Sequence, residues 1–596
     1  MPALGAKQRP ARPLAPGERP ASKDWLRALE LTARLDREPE RTFPLVIDEL
    51  AERFDEKPAL ISERETLSFA ALAERARRYA CWAAAEGLGK RDVVALLMPN
   101  RPEYMAVWLG LTRLGVVVAL VNTSLRGASL AHCLRVAAPS RIIVDATLED
   151  ALVDCGFAAG AYWTHGGRVR RIDEAIEHFH PSVVALAGAP VALDDRALLI
   201  YTSGTTGMPK AANVSHRRVL MWSLWFAGLT GASPEDRLYN CLPMHHSVGG
   251  VVATGSALVA GGSAVIAERF SATGFWSDIS RFDCTMFQYI GELCRYLLAA
   301  PPHADERKHR LRIAVGNGLS GDVWTAFQAR FGLPRILEFY GATEGAFSLF
   351  NVEGRPGAIG RIPAFLAHRF PVALVRHDPE AAAPARGADG FCVACERGEV
   401  GEAIGRLTGA GQGSFEGYTD AVESEKKILR DVFAPGDAWM RTGDLMRQDA
   451  QGFFHFVDRI GDTFRWKGEN VATTEVTEAV ASAPGVRAAS VYGVTVPNTA
   501  GRAGMAALVV DDRFELGALK AHLEGRLPSY ARPLFLRIAQ ELEATQTFKA
   551  RKQRLIEEGF DPALVEDPLY VESRRGGYER LDAAAFAAIE AGDIRF

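Results

Sequence analysis

No charge of one sign dominates this chain: 69 lysines and arginines stand against 73 aspartates and glutamates, a net charge of −4. That leaves no whole-molecule electrostatic reason to bind nucleic acid, which is not expected as a partner. Long apolar runs are also missing. The most membrane-like segment, Met105 to Val121, is interrupted by Arg113 and runs into Asn122-Thr123-Ser124. It falls short of the ~20 apolar residues a spanning helix needs and reads as a core helix followed by a strand. Met1 to Lys23 holds prolines and arginines but no apolar stretch and little serine, which excludes a secretory signal and weighs against a transit peptide. Residues 1–40 are therefore expected to form a disordered or loosely held arm. Eight cysteines are scattered between Cys81 and Cys395, which suits a reducing compartment better than a disulfide framework. Only Cys392 and Cys395 lie close together, with no second pair at zinc-site spacing, so a loop and no metal is expected there. The expected location is cytoplasmic, with peripheral association at the cytoplasmic membrane face left open.

What is present is ordinary for a globular enzyme of more than one domain: 596 residues, 48% apolar and 24% charged. Short apolar runs alternate with helical patterns. Asp92 to Met98, Val116 to Val121 and Arg141 to Val144 read as buried strands, and Pro102 to Leu114 as a helix. That alternation indicates an α/β fold with parallel sheets covered on both faces. From Ala383 to Gly417 the text turns to glycine, proline and short strand-like pieces, as a small β-barrel-like subdomain would. A new α+β unit follows Asp458, with strands over Ala489 to Val494 and Leu534 to Ile538 and a helix over Glu515 to Leu527. The expected domains are 41–459 and 460–596, with a hinge near Arg459 to Asp462.

The most informative stretch is Thr202-Ser203-Gly204-Thr205-Thr206-Gly207-Met208-Pro209-Lys210, directly after the apolar run Ala197 to Ile200. Glycines let a backbone bend around an anion, hydroxyls add donors and a lysine offsets phosphate charge. The spacing is not that of the Walker A loop. Met208-Pro209 separate the last glycine from Lys210, and Ala211 stands where the magnesium-binding hydroxyl would be.

Further blocks follow in order: Tyr340-Gly341-Ala342-Thr343-Glu344-Gly345, Arg441-Thr442-Gly443-Asp444-Leu445, Asp458-Arg459-Ile460-Gly461-Asp462 and Thr547-Phe548-Lys549. Together with the loop they resemble the adenylate-forming superfamily of acyl-CoA synthetases, luciferases and peptide-synthetase adenylation domains. Gln288 to Leu297, Gly316 to Leu319 and Phe464 to Asn470 resemble its fatty-acid-transport-protein branch, the very-long-chain acyl-CoA synthetases. No carrier-protein domain is read after Lys549, so a peptide-synthetase module is not expected.

The resemblance implies a large N-terminal domain with a mobile C-terminal lid, and a long-chain or very-long-chain fatty acid:CoA ligase that forms acyl-AMP and then acyl-CoA. Its substrates would be fatty acid, ATP and coenzyme A, with Mg²⁺ as cofactor. Thr202 to Lys210 would hold the β- and γ-phosphates, Thr343 the α-phosphate, and Glu344 the metal. Gly316, Asn317, Gly318, Tyr340 and Gly341 would frame the adenine, Tyr340 by stacking. Asp444, aided by Arg459, would take the ribose hydroxyls, and Lys549 on the lid would reach the α-phosphate. His246 would border the acyl and nucleotide pockets, and Trp222, Phe287 and Tyr289 are candidates for the acyl wall. Gly461 occupies the hinge position, where relatives commonly carry a charge. A fatty acyl-AMP ligase serving a carrier protein, or a lipid uptake protein with secondary ligase activity, is the alternative. Oligomeric state is left open, a homodimer included.

Overall fold

The apolar runs become strands buried on both faces, the state their lack of polar alternation requires. The computed structural model describes residues 21–181, 190–202, 208–378, 381, 383–408, 414–467, 469–497, 499, 501–542, 552–573 and 576–594. Two sheets form the large domain. The six-stranded one runs in the order Trp163–His165, Arg141–Asp145, Val93–Leu97, Val117–Leu120, Arg196–Thr202, Lys210–Ser215, parallel except for the last pair. The eight-stranded one runs Ser348–Asn351, Ile336–Gly341, Ile313–Asn317, Met286–Ile290, Arg237–Asn240, Ser263–Ile266, Pro58–Ile61, Thr66–Ser68, with antiparallel pairs only at its two edges. The helix expected over Pro102 to Leu114 spans Pro102–Arg113 and is buried along almost its whole length, which explains its membrane-like composition. No helix among the described residues is long and apolar enough to cross a membrane.

An antiparallel five-stranded sheet follows, ordered Val372–Val375, Val400–Arg406, Ala438–Gln448, Ile428–Arg430, with Phe454–Arg459 added beside Ala438–Gln448. It is the small β subdomain, and it extends beyond the window suggested by composition. The C-terminal domain has its own core, from Phe464 to Ile589, around a five-stranded sheet ordered Val486–Thr495, Arg502–Val510, Phe535–Ile538, Leu569–Ser573, Gly577–Arg580.

The N-terminal expectation needs correction. Residues 1–20 lie outside the described residues, but Ala21–Thr32 is a helix, not a loose arm. It packs on the helix His216–Thr230: Trp25 is 1% exposed, edge-on to Trp225, Phe350 and Phe370. A side chain at Gly228 would collide with the backbone of Ala28, so the two helices cross where only glycine fits. Asp24 is also tied to Arg335 at 2.7 Å. Composition favoured disorder because its window mixed Pro/Arg-rich residues with this amphipathic turn.

Candidate active site

Antiparallel pairing of Arg196–Thr202 with Lys210–Ser215 sets Thr202 opposite Lys210, so the two ends of the Ser/Thr/Gly segment are held side by side. Ser203, Gly204, Thr205, Thr206 and Gly207 lie outside the described residues, as does Lys549. Lys210 is ion-paired with Glu423 and stands 5.8 Å from the Tyr418 ring.

The strand Ile336–Gly341 ends in the turn that carries Thr343 and Glu344. Glu344 is 7% exposed; its carboxylate accepts a 2.6 Å hydrogen bond from the Tyr418 hydroxyl and lies 3.8 Å from Lys427 Nζ. Thr202 also hydrogen-bonds Tyr418, and burial beside Glu344 raises the Tyr418 pKa well above that of a free phenol. The Thr343 and Ser247 hydroxyls are 3.3 Å apart. Thr202, Lys210, Glu344 and Tyr418 therefore form one polar group, next in sequence to the Thr343–Ser247 hydroxyl pair.

On the same strand the Tyr340 hydroxyl donates to Asp444, whose other oxygen is 3.6 Å from Arg459 Nε. Asp444 and Arg459 face each other as cross-strand partners, so two blocks separate in sequence become one carboxylate–guanidinium pair. The Tyr340 ring meets Phe347 edge-on at 5.5 Å.

Gly316 and Asn317 end the strand Ile313–Asn317, and Gly318 adopts φ +81°. A Cβ at Gly316 would strike Tyr289, and one at Gly291 would strike the carbonyl of Gly318, so this segment rests directly on its neighbour. Beneath it lies Glu338, 1% exposed. Its carboxyl accepts the N–H of Leu319 at 3.1 Å and that of Gly318, with the Tyr289 hydroxyl on its other oxygen. Burial pushes it up to about 8 although all three hydrogen bonds pull the other way.

The acyl-wall expectation is corrected. Phe287 and Tyr289 are fully buried, packed with Trp324 and Phe327 on one face of the eight-stranded sheet. Trp222 sits on the helix against the opposite face, beside the core that holds Met286. Alternation along Met286–Ile290 separates the two groups, so they cannot wall one cavity. His246 is half-buried, its ring 4.4 Å from that of His245, and burial drives the His245 pKa well below the usual imidazole range. Gly461 is exposed at φ +101° with nothing near a built Cβ; the angle itself calls for glycine.

Sequence reasoning missed Arg218, Glu338, Glu416, Tyr418 and Glu423. One signal was available. Arg217-Arg218 stand in the first turn of the helix His216–Thr230, where the helix dipole disfavours cations, so each needs a dedicated acidic or carbonyl partner.

Two largely parallel sheets covered by helices, a β subdomain and a smaller C-terminal domain, with Thr202 and Tyr418 beside the buried Glu344 carboxylate, suit a nucleotide-handling ligase. Residues 47–418 match the AMP-binding enzyme family and 475–549 its C-terminal domain, and the chain belongs to that family as an AMP-forming acid-thiol ligase. Within it the chain is similar to long-chain fatty acid transport protein 3 of Mus musculus, 42% identical over 84% of this chain and 77% of that protein. It is 37% identical to long-chain fatty acid transport protein 1 of Mus musculus over 95% and 90% of the two chains. ATP-bound MatB from Rhodopseudomonas palustris superposes with a TM-score of 0.72 at 25% identity, covering 86% of this chain and 98% of MatB.

Proposed function

We propose that this protein is a long-chain fatty acid:CoA ligase whose described polar group grips ATP and whose lid serves two successive half-reactions. A carboxylate oxygen of the fatty acid bonds to the α-phosphorus of ATP, and the bond to pyrophosphate breaks. The thiolate of coenzyme A then bonds to the acyl carbon, and AMP leaves.

The convergence of Tyr340, Thr343 and Glu344 with Asp444 and Arg459 carries this reading: one strand end and its turn supply groups suited to adenine, α-phosphate and metal, while the β subdomain supplies a ribose acceptor. In it, Thr202 to Lys210 hold the β- and γ-phosphates and Gly316 to Gly318 border the base. Asp444, paired with Arg459, accepts from the ribose hydroxyls, and Lys549 approaches from the lid. Preorganised donors of this kind supply most of the stabilisation in such transfers.

The residues suit Mg²⁺. That ion takes one or two carboxylates plus phosphate and water oxygens, and Glu344, a buried carboxylate held by the Tyr418 hydroxyl, is such a donor. Mg²⁺ held there would neutralise charge on the polyphosphate.

The fatty-acid assignment rests on the similarity to the transport proteins. Acid-dependent ATP/pyrophosphate exchange across short, aromatic and long-chain acids tests it. Exchange with long-chain acids in the absence of CoA, followed by CoA-dependent release of thioester, is expected. Exchange confined to aromatic or short acids, or acyl-AMP discharged only by a carrier protein, would contradict it.

A further inference from the structure

Arg218 is an almost enclosed cation, its side chain 8% exposed, that bonds three acceptors on two separate segments of the chain. Its Nε donates to Glu416 at 3.0 Å, Nη1 to the carbonyl of Thr343 at 3.0 Å, and Nη2 to the carbonyl of Ser414 at 2.8 Å. Glu416 also accepts from the N–H and hydroxyl of Ser215 at 2.6 and 2.7 Å, and Ser215 caps the helix that carries Arg218. Gly345, at φ +107°, lies against the guanidinium so closely that a Cβ there would collide with it. The segment that supplies Ser414 and Glu416 continues to Tyr418, the donor to Glu344.

We propose that Arg218 is the positioning residue for the Thr343–Glu344 turn. Its planar fork holds the Thr343 carbonyl while Tyr418 holds the Glu344 carboxylate, and Arg218 is tied to the 414–418 segment that ends in Tyr418. Arg218 acts through the backbone of Thr343. Lysine is a poor replacement, because a single ammonium cannot hold three acceptors in the directions the guanidinium does. This inference rests on Glu344 being the magnesium holder.

The test is the Mg²⁺ concentration at half-maximal ATP/pyrophosphate exchange, measured on the full chain for wild type, Arg218→Lys, Glu416→Gln and Glu344→Gln, each with a melting curve. A merely structural side chain would change melting temperature or expression but not this midpoint. We expect Arg218→Lys to raise the Mg²⁺ midpoint about fivefold or more and Glu416→Gln to raise it by a smaller factor, both in the direction of Glu344→Gln. If Arg218→Lys does not fold, Glu416→Gln decides on the same criterion. A wild-type midpoint in the folded variants beside a shifted one in Glu344→Gln would overturn the role of Arg218 and leave the ligase reading standing. An unshifted midpoint in Glu344→Gln would overturn the metal role of Glu344 and this proposal with it.

Discussion

Glu338→Gln should change how stability depends on pH. The Glu338 carboxyl sits near 4.5 in the unfolded chain and is pushed up to about 8 by burial, so the folded state holds its proton more tightly. The resulting stabilisation is complete below about pH 4.5 and is lost as pH climbs through about 8. At 1.36 kcal/mol for each pH unit, the rise sets a ceiling of about 5 kcal/mol on that loss. Glutamine mimics the protonated acid: its oxygen accepts the N–H groups of Gly318 and Leu319, and its amide donates to the Tyr289 oxygen. Thermal or urea midpoints of both proteins between pH 5 and 8.5 provide the assay, since all other titrating groups cancel in the difference. The variant should gain on wild type steadily toward pH 8, and KM for ATP should rise with pH only in wild type as the segment over the carboxylate loosens. Parallel profiles would refute the reasoning and mean that Glu338 holds the same charge in both states.

Lys549→Ala should lower acyl-AMP formation by ~10²-fold or more, the scale for removing one preorganised donor, yet spare thioester formation from supplied acyl-AMP; single-turnover assays of each half-reaction separate the two. Gly461→Pro cannot keep φ near +101°, so the described lid orientation should be lost and one half-reaction should fall at least tenfold more than the other, with melting temperature as the control for folding. Trp25→Ala should destabilise the large domain by about 3–5 kcal/mol, seen as a lower denaturant midpoint, and removing residues 1–36 should do the same; unchanged midpoints would mean that the N-terminal helix is dispensable.

The alternating apolar runs made the sheets legible because strands covered on both faces leave a strong, local signal. Val93–Leu97, Val117–Leu120, Pro102–Arg113 and Phe535–Ile538 fall within a residue or so of the expected bounds. The site was legible only as text. Tyr340, Asp444 and Arg459 could be singled out as motif members, but their meeting depends on the register between Ala438–Gln448 and Phe454–Arg459, which no local pattern specifies. Phe287, Tyr289 and Trp222 show the opposite failure. Aromatic content suggested one wall, whereas the pleat sends two of them to the far side of the sheet. Arg218, Glu338 and Glu416 went unseen because their importance lies in partners more than a hundred residues away or in a burial that a lone charged letter does not announce.

The central claim, that the acid is activated by attack on the α-phosphorus, is tested most directly by oxygen transfer. Palmitate carrying ¹⁸O in both carboxylate oxygens is incubated with the full-length protein, ATP, Mg²⁺ and CoA, and the nucleotide products are weighed by mass spectrometry. AMP heavier by one ¹⁸O, formed together with unlabelled pyrophosphate and with palmitoyl-CoA that keeps the second ¹⁸O in its carbonyl, is the predicted result. Unlabelled AMP, or label recovered in inorganic phosphate beside ADP, would contradict it.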